Sequence, residues 1–361
     1  MLSSAFALLL AAAAPAAAPA GPPIDVARPT VHDVSMSVDV APARDVLVLL
    51  GGKDDAPAAL RRLRASRPFG LALSRDGGNP EDLLGRLVSV AAGTPDPLLD
   101  GYVRRAATFA KVLDAIETEG TRGGLVAARR IAALLPPGPP VAARLVVVPV
   151  FGLAGFDDVV AEADGETLYL FADLPRLAPE GAADIVPHEV VLALLRAAGA
   201  EGWKRLFTPL RVPPAWPTET GPDFDTLLGR TVADGIETLF LFPDEFFPLG
   251  EMFEEPIRRS FERWNGAVET LLDPKPKAEE KRDVFLSVTT RGDFWRRHSA
   301  VVGAAMAETV LKRAGTARFA EALAAGPRAV AALYVEVTRK TKAPALGKGA
   351  RKALEAPPAA G

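Results

Sequence analysis

The apolar positions of this chain fall into runs of three kinds, and each kind predicts a different element. Residues 1–20 are apolar almost throughout, centred on Phe6-Ala7-Leu8-Leu9-Leu10. After a proline-rich stretch to about residue 45, Asp45 to Leu50 is a short apolar run stopped by Gly51-Gly52, which reads as a strand. Helical spacing follows over residues 56–65, 80–91, 98–117 and 124–135. In the third of these, Tyr102, Ala106, Phe109, Val112, Leu113 and Ile116 recur at the intervals of one helix face. Pro136-Pro137-Gly138-Pro139-Pro140 then ends the helical part and forms the clearest internal boundary.

Strand patterns begin there. Residues 144–151 read as a buried strand, with a continuous apolar run from Leu145 after Arg144. Residues 159–163 and 166–171 flank Asp164-Gly165, a strong two-residue hairpin signal. Beyond Pro175 the helical period returns over 182–198, 225–242, 254–272, 298–314 and 316–324. Lys275-Pro276-Lys277-Ala278-Glu279-Glu280-Lys281-Arg282 reads as a charged, solvated loop between two of these. The order of helices, small antiparallel sheet and helices predicts the α+β class.

Composition narrows the chemistry. With 361 residues, 49% hydrophobic and 24% charged, the chain has ordinary globular proportions and can bury a sizeable core. A net charge of −3 gives no reason to expect nucleic acid or an anionic membrane as partner. There is no cysteine, which excludes disulfides, thiolate metal sites and cysteine nucleophiles, and the only histidines are His32, His188 and His298. The apolar leader ends in Ala18-Pro19-Ala20, which fits the small-x-small pattern of signal-peptide cleavage. It is too short and alanine-rich for a comfortable membrane span, so export to the periplasm or beyond is expected, with no membrane span after removal of the leader. Gly51-Gly52-Lys53 lacks the spacing of a phosphate-binding loop, and no Gly-x-Ser-x-Gly elbow occurs. Asp244, Glu245, Glu251, Glu254 and Glu255, mixed with five aromatic or Met positions, read as a capping, solvated face.

The candidate chemistry lies in Pro187-His188-Glu189-Val190-Val191-Leu192. A His-Glu-x-x-His helix places two imidazoles one turn apart on one face, with the glutamate as general base on a zinc-bound water. Here the first two positions are present and the fifth is Leu192. From about residue 98 to Tyr334 the chain resembles a family of bacterial zinc-dependent peptidases of the gluzincin type, in the order of its segments rather than in identity. Thr231-Val232-Ala233-Asp234-Gly235-Ile236-Glu237 looks like the family's third-ligand helix, and Val301-Val302-Gly303-Ala304-Ala305-Met306-Ala307 like its C-terminal helix pair.

The resemblance implies a zincin-like fold, with His188 as a zinc ligand and Glu189 as the catalytic base. It also shows where the pattern thins: Leu192 replaces the second histidine, Asp234 a glutamate, and Ala300 a tyrosine near the substrate. His298 could replace a ligand or stabilise an oxyanion, and Glu237, one turn past Asp234, could ligate in its stead. The organisation expected is a signal peptide (1–20), a proline-rich irregular segment (21–45), a mostly helical region (46–140), a gluzincin-like region (141–337) and a basic disordered tail (338–361). The leading expectation is a pseudo-peptidase with zinc weak or absent and its old cleft kept for binding or as scaffold. The alternatives are a working zinc peptidase with an unusual ligand set, in which residues 166–171 form an edge strand aligning a peptide, and a non-enzymatic exported α+β binding protein. A peptide or protein partner is expected.

Overall fold

The computed structural model describes residues 32–52, 55–74, 79–97, 99–135, 140–151, 159–177, 186–207, 221–241, 251–290 and 294–356. The expected leader, most of the Pro136–Pro140 boundary and much of the acidic-aromatic cluster lie outside them. The fold is α+β, mostly helical, with one small sheet built from β1 (Asp33–Val38), β2 (Ala142–Val150), β3 (Val159–Asp164) and β4 (Thr167–Asp173). Its order is β1-β2-β4-β3. β1 pairs parallel with β2, β2 parallel with β4, and β3 antiparallel with β4. The antiparallel sheet expected from sequence is thus corrected to a mixed one. The hairpin forms, but its turn lies one position on from that expected: Asp164 pairs with Thr167, and Gly165, at φ +60°, and Glu166 make the two-residue loop. However, β4 runs between β2 and β3 and is not the edge strand expected.

β1 arises within the segment read as irregular. Val34, Met36 and Val38 alternate there with Ser35 and Ser37, the period of a strand covered on one face. β2 is buried on both faces. Leu145 and Val147 join the main core, whereas Val146, Val148 and Val150 meet Phe171 of β4 and Ala72 of α3 (Arg67–Ser74) on the other side. A strand enclosed in this way has no use for polar positions, which is why it reads as an unbroken apolar run.

Asp45–Leu50, expected as a strand, is the second half of helix α1 (Ala41–Leu50). Pro42 starts that helix, and Ala43, Val46, Leu49 and Leu50 are buried at helical spacing. Asp45, also buried, is paired with Arg62 of α2 (Ala56–Ala65) at 2.5 Å. Helix α4 (Pro80–Ala91) is capped by Asn79, whose side chain accepts a hydrogen bond from the Glu81 amide at 3.1 Å. After the short α5 (Leu99–Arg104), the two helices expected over 98–135 become one long element, α6 (Ala106–Leu134), which runs through Gly120, Gly123 and Gly124. Those glycines cost helix propensity of about 1 kcal/mol each. They are retained by packing: a Cβ at Gly120 would lie 2.9 Å from Val38 Cγ2, and one at Gly124 2.8 Å from the Met36 carbonyl oxygen.

Following the short α7 (Leu174–Leu177), helix α8 (Pro187–Leu206) lies beside α6 and covers the same face of the sheet. Its Trp203 is buried and donates from Nε1 to the Leu134 carbonyl at 3.4 Å. The remaining helices are α9 (Phe224–Leu241), α10 (Glu251–Leu272), α11 (Ala278–Thr289), α12 (His298–Ala325), α13 (Pro327–Thr338) and α14 (Lys348–Glu355). The charged segment expected as a loop therefore ends inside α11, where Glu279 and Glu280 occupy the first turn and favour the helix dipole. Gly315, at φ +82°, breaks α12 where the sequence pattern also changes. The tail expected to be disordered includes α14, whose Ala350 is buried, and Asn265 holds its approach by accepting from the Gly347 amide at 2.8 Å. One continuous core joins the N-terminal helices, the sheet and the C-terminal helices.

The tightest crossing is between α9 and α12. A Cβ at Gly303 would sit 1.9 Å from the Thr231 carbonyl oxygen, and one at Gly235 2.2 Å from the Gly303 carbonyl carbon. Gly303→Ala should therefore cost about 3 kcal/mol, because two helix backbones must move apart. Gly266→Ala in α10, where an added Cβ meets nothing within 4 Å, should instead stabilise by about 0.5–1 kcal/mol. Denaturant unfolding of both variants checks this; similar effects at the two positions would refute the close-crossing account.

Candidate functional site

The residues singled out by sequence have separate partners. His188 and Glu189 lie in the first turn of α8 and are exposed. His188 Nδ1 donates to Glu119 Oε2 of α6 at 2.5 Å, which orients the ring and leaves Nε2 as its one remaining nitrogen. Leu192, one turn further on, lines the same groove as His188.

Asp234 is buried in α9 and faces α12, where Ser299 Oγ donates to its Oδ2 at 3.1 Å. Arg230 Nε lies 2.8 Å from the other carboxylate oxygen but off the direction of its N–H, so the contact is an ion pair rather than a hydrogen bond. Glu237 pairs with Lys204 of α8 at 2.6 Å. His298 starts α12, with its Nδ1 3.1 Å from Ser260 Oγ of α10, which itself donates to the Pro256 carbonyl at 2.9 Å. Burial, together with the positive charges of Arg263 and Arg259, lowers the His298 pKa and so favours a neutral ring. His298 borders a different cavity of about 500 Å³, between α10, α11 and α12.

A zinc ion held by protein needs three or four donors converging on one point. Among the described residues no group of three or more His, Asp or Glu side chains is arranged to hold a metal ion. His188 offers one nitrogen beside a leucine, and Asp234, Glu237 and His298 are each committed to another partner. Among the described residues these donors are not gathered at one point. What the structure does bring together are the two helix segments behind the gluzincin resemblance, 231–237 and 301–307, whose glycines form the backbone crossing described above.

The His-Glu helix borders a groove of about 680 Å³ between α6 and α8, closed at one side by Phe240 of α9. Val191, Leu192 and Leu195 of α8 and Val126 and Ala127 of α6 give it an apolar lining. The two helices run side by side in one direction: Glu119 meets His188, Gly123 abuts Leu195, and Gly199 sits 3.6 Å from Ala127 through a would-be Cβ. At Gly123 a Cβ would be 2.2 Å from Leu195 Cδ1, so Leu195 occupies the space a side chain there would need. Arginines border the groove from both walls: Arg122 and Arg130 from α6, and Arg196 from α8. Arg130 stacks over the Phe240 ring, 5.5 Å from its centroid. None of these arginines was singled out by sequence. The signal was present in two helical repeats of four, Arg122-Val126-Arg130 and His188-Leu192-Arg196, each alternating polar and apolar along one helix face.

No family model, curated protein or solved structure matched this chain in comparison. Among the described residues no helix is long and apolar enough to cross a membrane.

Burial raises the Asp234 carboxyl above its ordinary value, and the Arg230 charge and Ser299 hydroxyl offset this only in part. The folded state thus holds that proton more tightly than the unfolded chain does. Stability should fall as pH rises from the ordinary carboxylate range through the native value. Asp234→Asn keeps an acceptor for Ser299 without a titrating proton, and its denaturant midpoint should lose this part of the pH slope. A variant with the wild-type slope would show that another group titrates.

Proposed function

We propose that this chain is an exported, zincin-like binding protein without zinc-peptidase activity, and that its ligand sits in the α6–α8 groove beside His188. The observation that carries this reading is Leu192. It occupies the position where a His-Glu-x-x-His helix sets its second imidazole, and it contributes apolar surface to a groove large enough for a small organic ligand. A leucine there disfavours a divalent cation and favours hydrocarbon. The remaining donors named by the gluzincin resemblance have partners elsewhere, which supports a reading in which Glu189 activates no metal-bound water. The export component of the reading rests on the leader ending in Ala18-Pro19-Ala20.

Metal content of the chain, purified without a metal-binding tag, is the direct test. Zinc should be well below one equivalent and should not change in His188→Ala. Leu192→His, which places a second imidazole one turn from the first, should gain zinc binding that the wild type lacks. Near-stoichiometric zinc that is lost in His188→Ala, with peptide hydrolysis abolished by Glu189→Gln, would overturn the proposal in favour of a peptidase with a rebuilt site.

A further inference from the structure

The groove carries more information than its position. It is basic in a chain whose net charge is −3: three arginines and one glutamate line it, and the glutamate is bonded to His188. Among the described residues neither Arg122 nor Arg196 has a hydrogen-bond or ion-pair partner, although one stands on each wall. Elsewhere on this surface arginines are commonly paired, as Arg44, Arg64, Arg86 and Arg318 are. Apart from these polar groups the lining is mostly hydrocarbon, and Val126 is 61% exposed within it. Arg122 to Arg130 and His188 to Arg196 each span two helical turns, about 12 Å of apolar wall.

We propose that the groove binds a fatty acid, its carboxylate held by Arg122 and Arg196 and its chain lying over Val126, Leu192 and Leu195. This rests on the reading of the groove as the binding site. The charge calls for an anion, and the apolar middle calls for a hydrocarbon body attached to it. The walls decide between an acyl chain and a peptide. Both are helices whose backbone N–H and C=O groups in this stretch are paired within the helix, so they offer none to an extended peptide. A peptide buried there would lose water from its amides without replacement, whereas an acyl chain has no such groups.

The test is titration calorimetry of the full chain with dodecanoate, and with dodecanol and a short apolar peptide bearing a free C-terminal carboxylate as comparisons. Dodecanoate should bind saturably at one per chain. Dodecanol should bind at least about tenfold more weakly, as should dodecanoate to the Arg122→Gln/Arg196→Gln double variant, since a charge-assisted pair contributes about that much. Val126→Trp, which fills the groove from an exposed position, should abolish binding while circular dichroism stays unchanged. Equal affinity for dodecanol, or an arginine variant that binds dodecanoate as the wild type does, would overturn the anionic assignment. Saturable binding of the peptide in place of dodecanoate, blocked by Val126→Trp, would overturn the fatty-acid proposal but leave the groove as a binding site. No saturable binding of any of the three probes, together with near-stoichiometric zinc, would overturn both.

Discussion

The closeness of α6 to its neighbours is the constraint on which the rest of this structure depends. Gly120 and Gly124 allow it to lie directly on β1, and Gly123 lets Leu195 of α8 press into its backbone. A Cβ at Gly124 would meet the Met36 carbonyl and push α6 outward, whereas at Gly120 and Gly123 it would displace the side chains of Val38 and Leu195. β1 would then lose its cover, and the two helices would separate along the line where the groove now lies. The stabilising contribution comes from dispersion and burial at short range, which is lost steeply as contacts lengthen. Helix propensity is sacrificed for that approach, and the same trade recurs where Gly235 meets Gly303. Two groups of glycine contacts thus organise the two halves of the chain, one around the sheet and one around the C-terminal helices.

Electrostatics in the molecule separates by depth. At the surface, pairs such as Arg64–Glu81 and Arg258–Glu255 are exposed on both sides and contribute little. In the α9–α12 junction the situation is reversed: Asp234 is enclosed, and its partners Arg230 and Ser299 offset a desolvation cost rather than add a gain. Nearby, Trp264 donates from Nε1 to Thr231 Oγ1 at 2.8 Å, and Thr231 Oγ1 donates to the Leu227 carbonyl at 2.8 Å. The segment 231–237 is therefore a polar seam within a helix crossing.

Much of the fold was legible because it is encoded locally. The β3–β4 hairpin follows from Gly165, although its turn is Gly165-Glu166 rather than Asp164-Gly165; the enclosed β2 follows from the apolar run after Arg144, and the break in α12 from Gly315. What was not legible depends on contacts distant in sequence. β1 is held by pairing with β2 more than a hundred residues away, and α6 continues through three glycines only because β1 and α8 fit against them. Asp45–Leu50 is apolar enough for a strand, and only the burial of Ala43 and Val46 on one face with Leu49 fixes it as a helix. At the candidate site, the His188-Glu189 dipeptide singles out α8, one wall of the groove. The arginines that define the groove are informative only once α6 and α8 are side by side, since no spacing within one helix relates Arg122 to Arg196.

Arg328 makes one more such contact between distant parts of the sequence. Its guanidinium binds both carboxylate oxygens of Asp225, at 2.6 and 2.9 Å, and donates to the carbonyls of Ala353 and Ala356 at 2.9 and 2.6 Å. One side chain therefore joins the start of α9 to the end of α14, more than a hundred residues later. Asp223 caps the first turn of α9 locally, through the Thr226 amide and hydroxyl. The clamp on Arg328 adds a second hold that only the far end of the described chain can supply, so the start of α9 and the end of α14 are fastened by the same side chain.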